Sequence, residues 1–153
     1  MVRFEGEKDF PKPPAELWAK LTDVRFLVQC LPDVETVKSA EADRAELVLR
    51  PGFSFVRGTL EVVLRVVEAT EPTAARYEVA SKGIGSSADV EATIVLTPQE
   101  AGTRVRWTAE VKTLGGLLKM VPSGLIRGAA EKVVNDAWSA VEAKVNNPGE
   151  PGA

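Results

Sequence analysis

The chain of 153 residues contains no histidine and a single cysteine, Cys30. It therefore lacks the side chain that most often serves as a general base and as a metal ligand. Metal sites built from cysteine and histidine are excluded, and Cys30 has no histidine to activate it as a nucleophile. A lone cysteine also excludes an intrachain disulfide, which favours a cytoplasmic setting. From this composition we predict no catalytic residue, no metal site and no cofactor.

Long apolar runs and clusters of basic residues are also lacking. No run reaches the roughly 18 apolar residues of a membrane span, so no transmembrane segment is predicted. The net charge is −3, and without a basic cluster we do not expect nucleic-acid binding. The charges within residues 1–10 argue against a secretory signal. We predict one globular domain over residues 1–146, followed by a disordered tail at 147–153.

The feature that is present is a long apolar-periodic stretch at residues 117–145. Pro122 interrupts it, so the main helix should begin near Ser123. Residues 114–121 then form either an ordinary connection from strand to helix or a lid over a cavity mouth. Gly124 and Gly128 fall opposite the apolar face of the helix. That face collects Leu125, Ile126, Ala129, Ala130, Val133, Ala137, Ala140 and Val141.

Before this helix the pattern is mostly alternation with a period of two. A first strand at 2–10 ends at a proline cluster, and two short helices at 15–21 and 24–31 follow. Further strands are predicted at 34–40, 44–50, 53–67, 75–82, 88–96 and 103–111.

This order predicts an α+β domain of two layers with the helix-grip arrangement. A curved antiparallel sheet of about six to seven strands wraps the long helix, and two short helices follow the first strand. Polar residues at alternate positions leave the other face of the sheet in water. There we expect the charged residues of the last strand, Arg104, Arg106 and Glu110, to pair with Asp89 and Glu91.

Small side chains are predicted on both surfaces that face each other. The helix offers alanines such as Ala129, and the strands offer Gly58, Ala88, Ala92 and Ala109. Close packing alternates large with small residues, so small opposite small leaves a space unless the layers move together. Tight contact and an open cavity both remain compatible with this pattern.

Five segments in a fixed order resemble the family of the G subunit of carbon monoxide dehydrogenase. They are FEGEKDFPKPPAELWAKLTD, FLVQCLPDVETVK, GIGSSADVEATIVL, TRVRWTAEVKTLGGLLKMV and GLIRGAAEKVV, and the resemblance runs from Phe4 to about Val141. That family lies in the helix-grip (SRPBCC) superfamily with START-type lipid-transfer proteins and polyketide cyclases. The resemblance implies an apolar cavity and a role beside molybdenum-containing CO dehydrogenases, in membrane recruitment or in carrying a lipid or quinone. Some members carry a membrane-attaching C-terminal extension, which we do not expect in a chain that ends at Ala153.

The leading functional hypothesis is a non-catalytic protein that binds a lipid or quinone-like molecule in an internal cavity. It would assist a membrane-linked CO dehydrogenase or a related molybdenum oxidoreductase, in the cytoplasm and peripherally at the inner membrane face. One alternative is a cyclase or hydrolase that uses the same cavity, with Tyr77, Asp136 and Lys8 as candidate polar groups. The other is an interaction subunit with a filled core, and a homodimer is also left open.

The predicted ligand-binding residues are mainly large or apolar side chains expected to face the interior. Phe53 and Phe55 follow a Pro-Gly turn and are placed at the cavity mouth, and Met120 on the underside of the lid. The full set is Trp18, Phe26, Phe53, Phe55, Leu60, Val62, Tyr77, Val79, Val90, Trp107, Met120, Leu125, Ala129 and Val133.

Overall fold

The computed structural model describes residues 2–52 and 58–146. The predicted order of elements and the α+β class are confirmed. The elements are β1 (Arg3–Phe10), α1 (Pro14–Leu21), α2 (Val24–Val28), β2 (Val34–Ala40), β3 (Arg44–Leu49), β4 (Leu60–Thr70), β5 (Ala74–Gly83), β6 (Ser86–Gln99), β7 (Gly102–Gly116), a 3₁₀ helix (Leu117–Met120) and α3 (Ser123–Asn146). The predicted mouth residues Phe53 and Phe55 and the predicted tail at 147–153 lie outside the described residues.

The seven strands form one antiparallel sheet in the order β1-β7-β6-β5-β4-β3-β2. From β2 to β7, strands that follow each other in the chain are also neighbours in the sheet, and β1 pairs with β7. The sheet is curved but open, with β1 and β2 as its edges. Apolar residues on its inner face are therefore available to the helices.

β7 is longer than the alternation predicted. It ends at Gly116, so residues 114–116, which we expected in the connection before α3, pair with β6 instead. Lys112 has no Cα partner in β6 and forms a β-bulge. The bulge shifts the alternation of inward and outward residues by one position, so the sequence pattern did not show that the strand continues. Gly116 has a φ of 62°, and a Cβ at this position would collide with the backbone oxygen of Gly85.

The outer face of the sheet carries cross-strand ion pairs, but with a partner strand we did not predict. Arg104 Nε donates to Asp9 Oδ1 at 2.9 Å, and Arg106 Nη2 lies 3.2 Å from Glu7 Oε2. Both acids belong to β1, not to β6, because the β1–β7 register places them directly opposite the two arginines. The Arg104 guanidinium holds the pKa of Asp9 below its ordinary value. Such exposed pairs contribute little to stability.

Helices α1 and α2 cover one end of the inner face. Two aromatic side chains tie α1 to β5: Trp18 Nε1 donates to Ala74 O at 3.0 Å, and the Tyr77 hydroxyl donates to Leu21 O at 2.6 Å. α2 is three residues shorter than the predicted 24–31, and the Asp23 carboxylate caps it by accepting the Arg25 N–H at 3.0 Å. These contacts produce a closely packed core at this end, which includes Leu17, Leu21, Val24, Leu47, Ile94, Leu96 and Val105.

α3 begins directly after Pro122, as predicted, and runs for 24 residues along the β1 side of the sheet. Its C-terminal half is fixed to the packed core. Val141 and Val145 are buried there, and the Trp138 ring lies 5.8 Å from that of Trp107. Its N-terminal half buries Ile126 alone among its side chains.

Candidate ligand-binding cavity

A cavity of about 290 Å³ lies between the N-terminal half of α3 and the inner face of the sheet, and it is partly open to solvent. Its wall is formed by alternate residues of the strands, by one face of α3, and by residues of the loops that precede β2 and follow β3. The described residues that line it are Phe4, Leu31, Pro32, Asp33, Leu49, Pro51, Leu60, Val62, Leu64, Val79, Ser81, Ala88, Val90, Ala109, Glu110, Val111, Leu114, Leu118, Ile126, Ala129, Ala130, Val133 and Val134.

Small residues on both sides create this space. Ala88 and Ala109 project from the sheet, and Ala129 and Ala130 project from α3. A pair of alanines cannot span the distance at which larger side chains hold a helix and a sheet apart. Of the two arrangements compatible with the sequence, the structure therefore has the open one in this part of the molecule.

Burial along the central strands changes from one end to the other. Val79, Val90 and Ala109 lie beneath α3, yet each keeps part of its surface accessible. Ile94 and Val105, on the same inner face of β6 and β7, are buried at the end that α1 covers. The accessible apolar surface thus belongs to the cavity wall, and the packed core ends where α1 ends.

Three lining residues carry polar side chains. Asp33 is exposed at the rim, in a left-handed conformation with a φ of 63°. Glu110 accepts a hydrogen bond from Lys112 Nζ at 3.1 Å. Ser81 is part of the strand wall. Among the described lining residues there is no lysine or arginine.

Six of the predicted ligand-binding residues line the cavity. Each sits on a strand or helix face whose direction the periodicity had predicted correctly. They are Leu60, Val62, Val79, Val90, Ala129 and Val133.

Four predicted aromatic residues lie in the packed core, outside the cavity wall. Trp18 and Tyr77 use their polar atoms to bind backbone oxygens between α1 and β5. Phe26 packs on the core from α2, with the Lys20 ammonium 5.5 Å from its ring centre. Trp107 packs against Trp138. The size and inward direction of these four rings predict a place at the cavity, but α1, α2 and the C-terminal half of α3 cover them.

Met120 and Leu125 also lie outside the described cavity wall. Met120 is 82% exposed, so the 3₁₀ helix does not turn this side chain inward as the lid interpretation required. Leu125 is 49% exposed, whereas the adjacent Ile126 is 7% exposed and contacts the cavity. The buried face of α3 is thus rotated by about one residue from the one we centred on Leu125. Leu118 is the residue of the 3₁₀ helix that does face the cavity.

The polar residues considered for catalysis do not converge on the cavity. The Tyr77 hydroxyl donates its hydrogen bond to Leu21 O, and burial raises the pKa of Tyr77 far above the ordinary value. Asp136 pairs with Lys132 at 2.6 Å, and Lys8 pairs with Glu142 at 2.8 Å. None of the three is among the described lining residues.

Several of the lining residues that our site prediction missed lie two positions from residues it named. Leu64 follows Val62, Ser81 follows Val79, and Ala88 precedes Val90 on the same faces. Strand periodicity could have found them. Residues of the 31–33 loop carry no such periodic signal.

An exposed apolar surface borders one end of the cavity. Ile84 occupies the tip of the β5–β6 hairpin with a φ of 57°, a conformation unusual for a β-branched residue. Leu117 N–H donates to Gly85 O at 3.0 Å, which brings the 3₁₀ helix to this tip. We call Ile84, Leu117 and Met120, all largely exposed, the apolar rim.

The sheet and the long helix that it holds form a START-like fold, with the cavity under that helix. A conserved protein from Geobacillus kaustophilus has a TM-score of 0.82 at 20% identity, covering 95% of this chain and 96% of that chain. A START superfamily protein from Mycobacterium smegmatis has a TM-score of 0.65 at 11% identity, covering 95% and 97%. A protein from Thermus thermophilus has a TM-score of 0.69 at 19% identity, covering 97% and 100%. At these identities the likeness establishes the fold alone.

The profile of the carbon monoxide dehydrogenase G subunit family (CoxG) matches residues 6–146. The chain belongs to this family, which confirms the resemblance seen in the sequence. No curated protein matches the chain. In the described part of the chain, no helix combines the length and the apolarity needed to cross a bilayer.

Proposed function

We propose that the protein binds a small apolar or amphipathic molecule, lipid or quinone-like, in the cavity beneath α3. The observation that carries this proposal is a wall of apolar side chains that remain accessible inside a folded domain. A ligand that removes roughly 200 Å² of apolar surface from water gains about 5 kcal/mol. Losses of translational and rotational freedom reduce that gain, so weak binding with a dissociation constant in the millimolar range is expected.

The volume favours a small ligand. Cavities for drug-sized molecules run from about 300 to 1,000 Å³, and this one is at the lower limit. A single short chain or one small ring system fits this size better than a lipid with two full acyl chains. A long tail would have to leave through the open side of the cavity.

Family membership supports an accessory role. We infer that the ligand serves an oxidoreductase of the carbon monoxide dehydrogenase kind, and that the protein meets the membrane peripherally while it does so. The apolar rim is the surface we assign to that contact, since Leu117 and Met120 are exposed beside the cavity. The cytoplasmic setting stays a prediction from the single cysteine. If adding the ligand-loaded protein left the electron transfer of such an oxidoreductase unchanged, the accessory role would be wrong.

A vesicle transfer assay tests binding and delivery together. Neutral lipid vesicles are loaded with a fluorescent, uncharged apolar probe, and its movement to the protein is followed over time. Ala129→Leu fills the cavity from α3, so we expect at least a tenfold loss of probe binding with the fold retained. Ser139→Leu adds the same side chain at an exposed position of α3 and should bind as the natural protein does.

The same assay separates binding from delivery. A Leu117→Ser, Met120→Ser double variant should keep its equilibrium affinity for the probe in water while taking it up from vesicles several times more slowly. Unchanged probe binding by Ala129→Leu would show that the cavity is not the site. Unchanged uptake by the rim variant would remove the rim from the proposal and leave the cavity in place.

A further inference from the structure

The Ser81 hydroxyl stands out within the cavity wall. Ser81 pairs with Val62 of β4 on one side and with Ala88 of β6 on the other, and all three residues line the cavity. Val79, two residues earlier on the same face, lines it too. Ser81 is therefore surrounded by apolar neighbours along and across the strands.

Nothing in the described part of the chain forms a hydrogen bond with Ser81 Oγ. The hydroxyls that face other hydroxyls or backbone oxygens elsewhere are already paired, as Thr93 is with Thr108 and Thr103 is with Lys12 O. A hydroxyl enclosed by a ligand without a partner loses its bonds to water, which is unfavourable. A ligand that offers one hydrogen-bonding atom at this depth removes that cost.

The charges around the cavity restrict what that atom can be. The two charged residues among the described lining residues, Asp33 and Glu110, are both acids, and no lysine or arginine lines the cavity with them; the Lys112 ammonium, 3.1 Å from Glu110 Oε1, is paired with that carboxylate. A carboxylate or phosphate taken inside would lose its hydration without gaining a cation, and Asp33 would repel it at the rim. An uncharged oxygen has neither disadvantage.

We propose that the cavity selects an uncharged ligand with a carbonyl or hydroxyl oxygen, and that Ser81 binds this oxygen and orients the molecule. This inference depends on the proposed function, since it names the ligand chemistry of the same cavity. Ser81 can donate to a carbonyl, or donate to or accept from a hydroxyl. Ionised fatty acids and phospholipid headgroups are excluded from the interior for the reason of charge.

Matched eight-carbon probes test this chemistry. Octan-2-one, octan-1-ol, octanoate, octylammonium and octane compete with a neutral solvatochromic dye at pH 8, each below its solubility limit. For the natural protein we expect octan-2-one and octan-1-ol to bind more tightly than octanoate and octylammonium. Ser81→Ala should weaken octan-2-one and octan-1-ol by roughly three- to tenfold and leave octane unchanged, as expected for one hydrogen bond.

Two further variants control the result. Ser81→Thr keeps the hydroxyl and should retain most of the affinity for octan-2-one. Ser139→Ala removes an exposed hydroxyl from α3 and should change nothing. Thermal unfolding of each variant confirms that the fold is intact before affinities are compared.

Each of the remaining outcomes would contradict one part of the proposal. If Ser81→Ala lowered the affinity for octane equally, the substitution would have altered packing, and the proposed hydrogen bond from Ser81 to the ligand oxygen would be wrong. Octanoate binding as tightly as octan-2-one would refute the exclusion of anions, and octylammonium binding most tightly would transfer recognition to Asp33. If neither dye nor any probe bound the natural protein, the proposed function itself would fail, a result distinct from all of these.

Discussion

The two halves of α3 have similar apolar periodicity but meet different surroundings. The C-terminal half places Val141 and Val145 against a core that α1, α2 and the aromatic rings of Phe10 and Trp107 complete. The N-terminal half places Ala129 and Val133 over a cavity. The difference arises from what lies opposite: large side chains and two helices at one end, and small strand residues at the other. One helix can therefore both hold a domain together and cover a binding site.

The largest expected effect compares two valines of α3. Val145→Ala should lower the free energy of unfolding by about 2 kcal/mol, because it leaves a space in a packed core. Val133→Ala should cost less than about 1 kcal/mol, because Val133 borders a space that already exists. The gain in helix propensity from alanine is larger at Val133 in the middle of α3 than at Val145 near its end, and it adds to the difference in packing that urea denaturation measures. Equal losses would mean that the two halves are equally packed.

A smaller effect is expected at Gly128, where the N-terminal half of α3 has open space beside it. A Cβ added at Gly128 would meet no heavy atom within 4 Å, so Gly128→Ala should stabilise the protein by about 1 kcal/mol through helix propensity. Thermal and urea unfolding check this value. Gly6→Ala is the opposite control, since its Cβ would lie 2.8 Å from Trp107 Cζ2 and should destabilise. A destabilising Gly128→Ala would show that this face contacts something else.

The smallest effect on stability is expected from Cys30, a probe of the packed end. The thiol is buried, and burial raises its pKa from 9.0 to about 11. At pH 8 the native thiolate fraction should thus be roughly a hundredfold below that of the unfolded chain. Iodoacetamide labelling followed by mass spectrometry should be slow in the native protein and fast in urea. Rapid native labelling would indicate that this end opens readily.

The sign of the accompanying pH effect follows from the direction of the shift. The native state favours the protonated thiol, so its contribution to stability is present below pH 9. It declines as the pH rises from 9 through about 11, where the native thiol also ionises. Cys30→Ala should remove this alkaline decline, although loss of its packing would lower stability at every pH.

Sequence reasoning located the elements and their order by local rules, although it misplaced the ends of α2 and β7. Alternation identified the inner residues of β4 to β7, and Pro122 located the start of α3. It was less accurate where neighbours in the fold decided the outcome. Leu125 and Ile126 are both apolar and adjacent, and helical periodicity alone cannot tell which of them the sheet will cover. Likewise, β7 lies between β1 and β6, and alternation alone does not tell which of these two strands supplies the acid that pairs with Arg104.

The predicted site residues that line the cavity are all aliphatic, whereas the described aromatic ones lie in the packed core. Val79 and Val90 could be named because strand periodicity directs them inward, toward α3. Trp18 and Tyr77 are also directed inward, but their polar atoms bind backbone oxygens of β5 and α1. Large rings satisfied in this way belong to the core, whereas the cavity persists where side chains are too short to close it.

Proline positions, residue alternation and helical periodicity were enough to establish the order of the strands and helices and the inward side of the strands, because these depend on residues near one another in the chain. The division of that interior into a packed end and an open end depended on where α1, α2 and α3 lie over the sheet. Such contacts join residues that are far apart in the chain, and their separation in space is determined only when the whole domain is assembled.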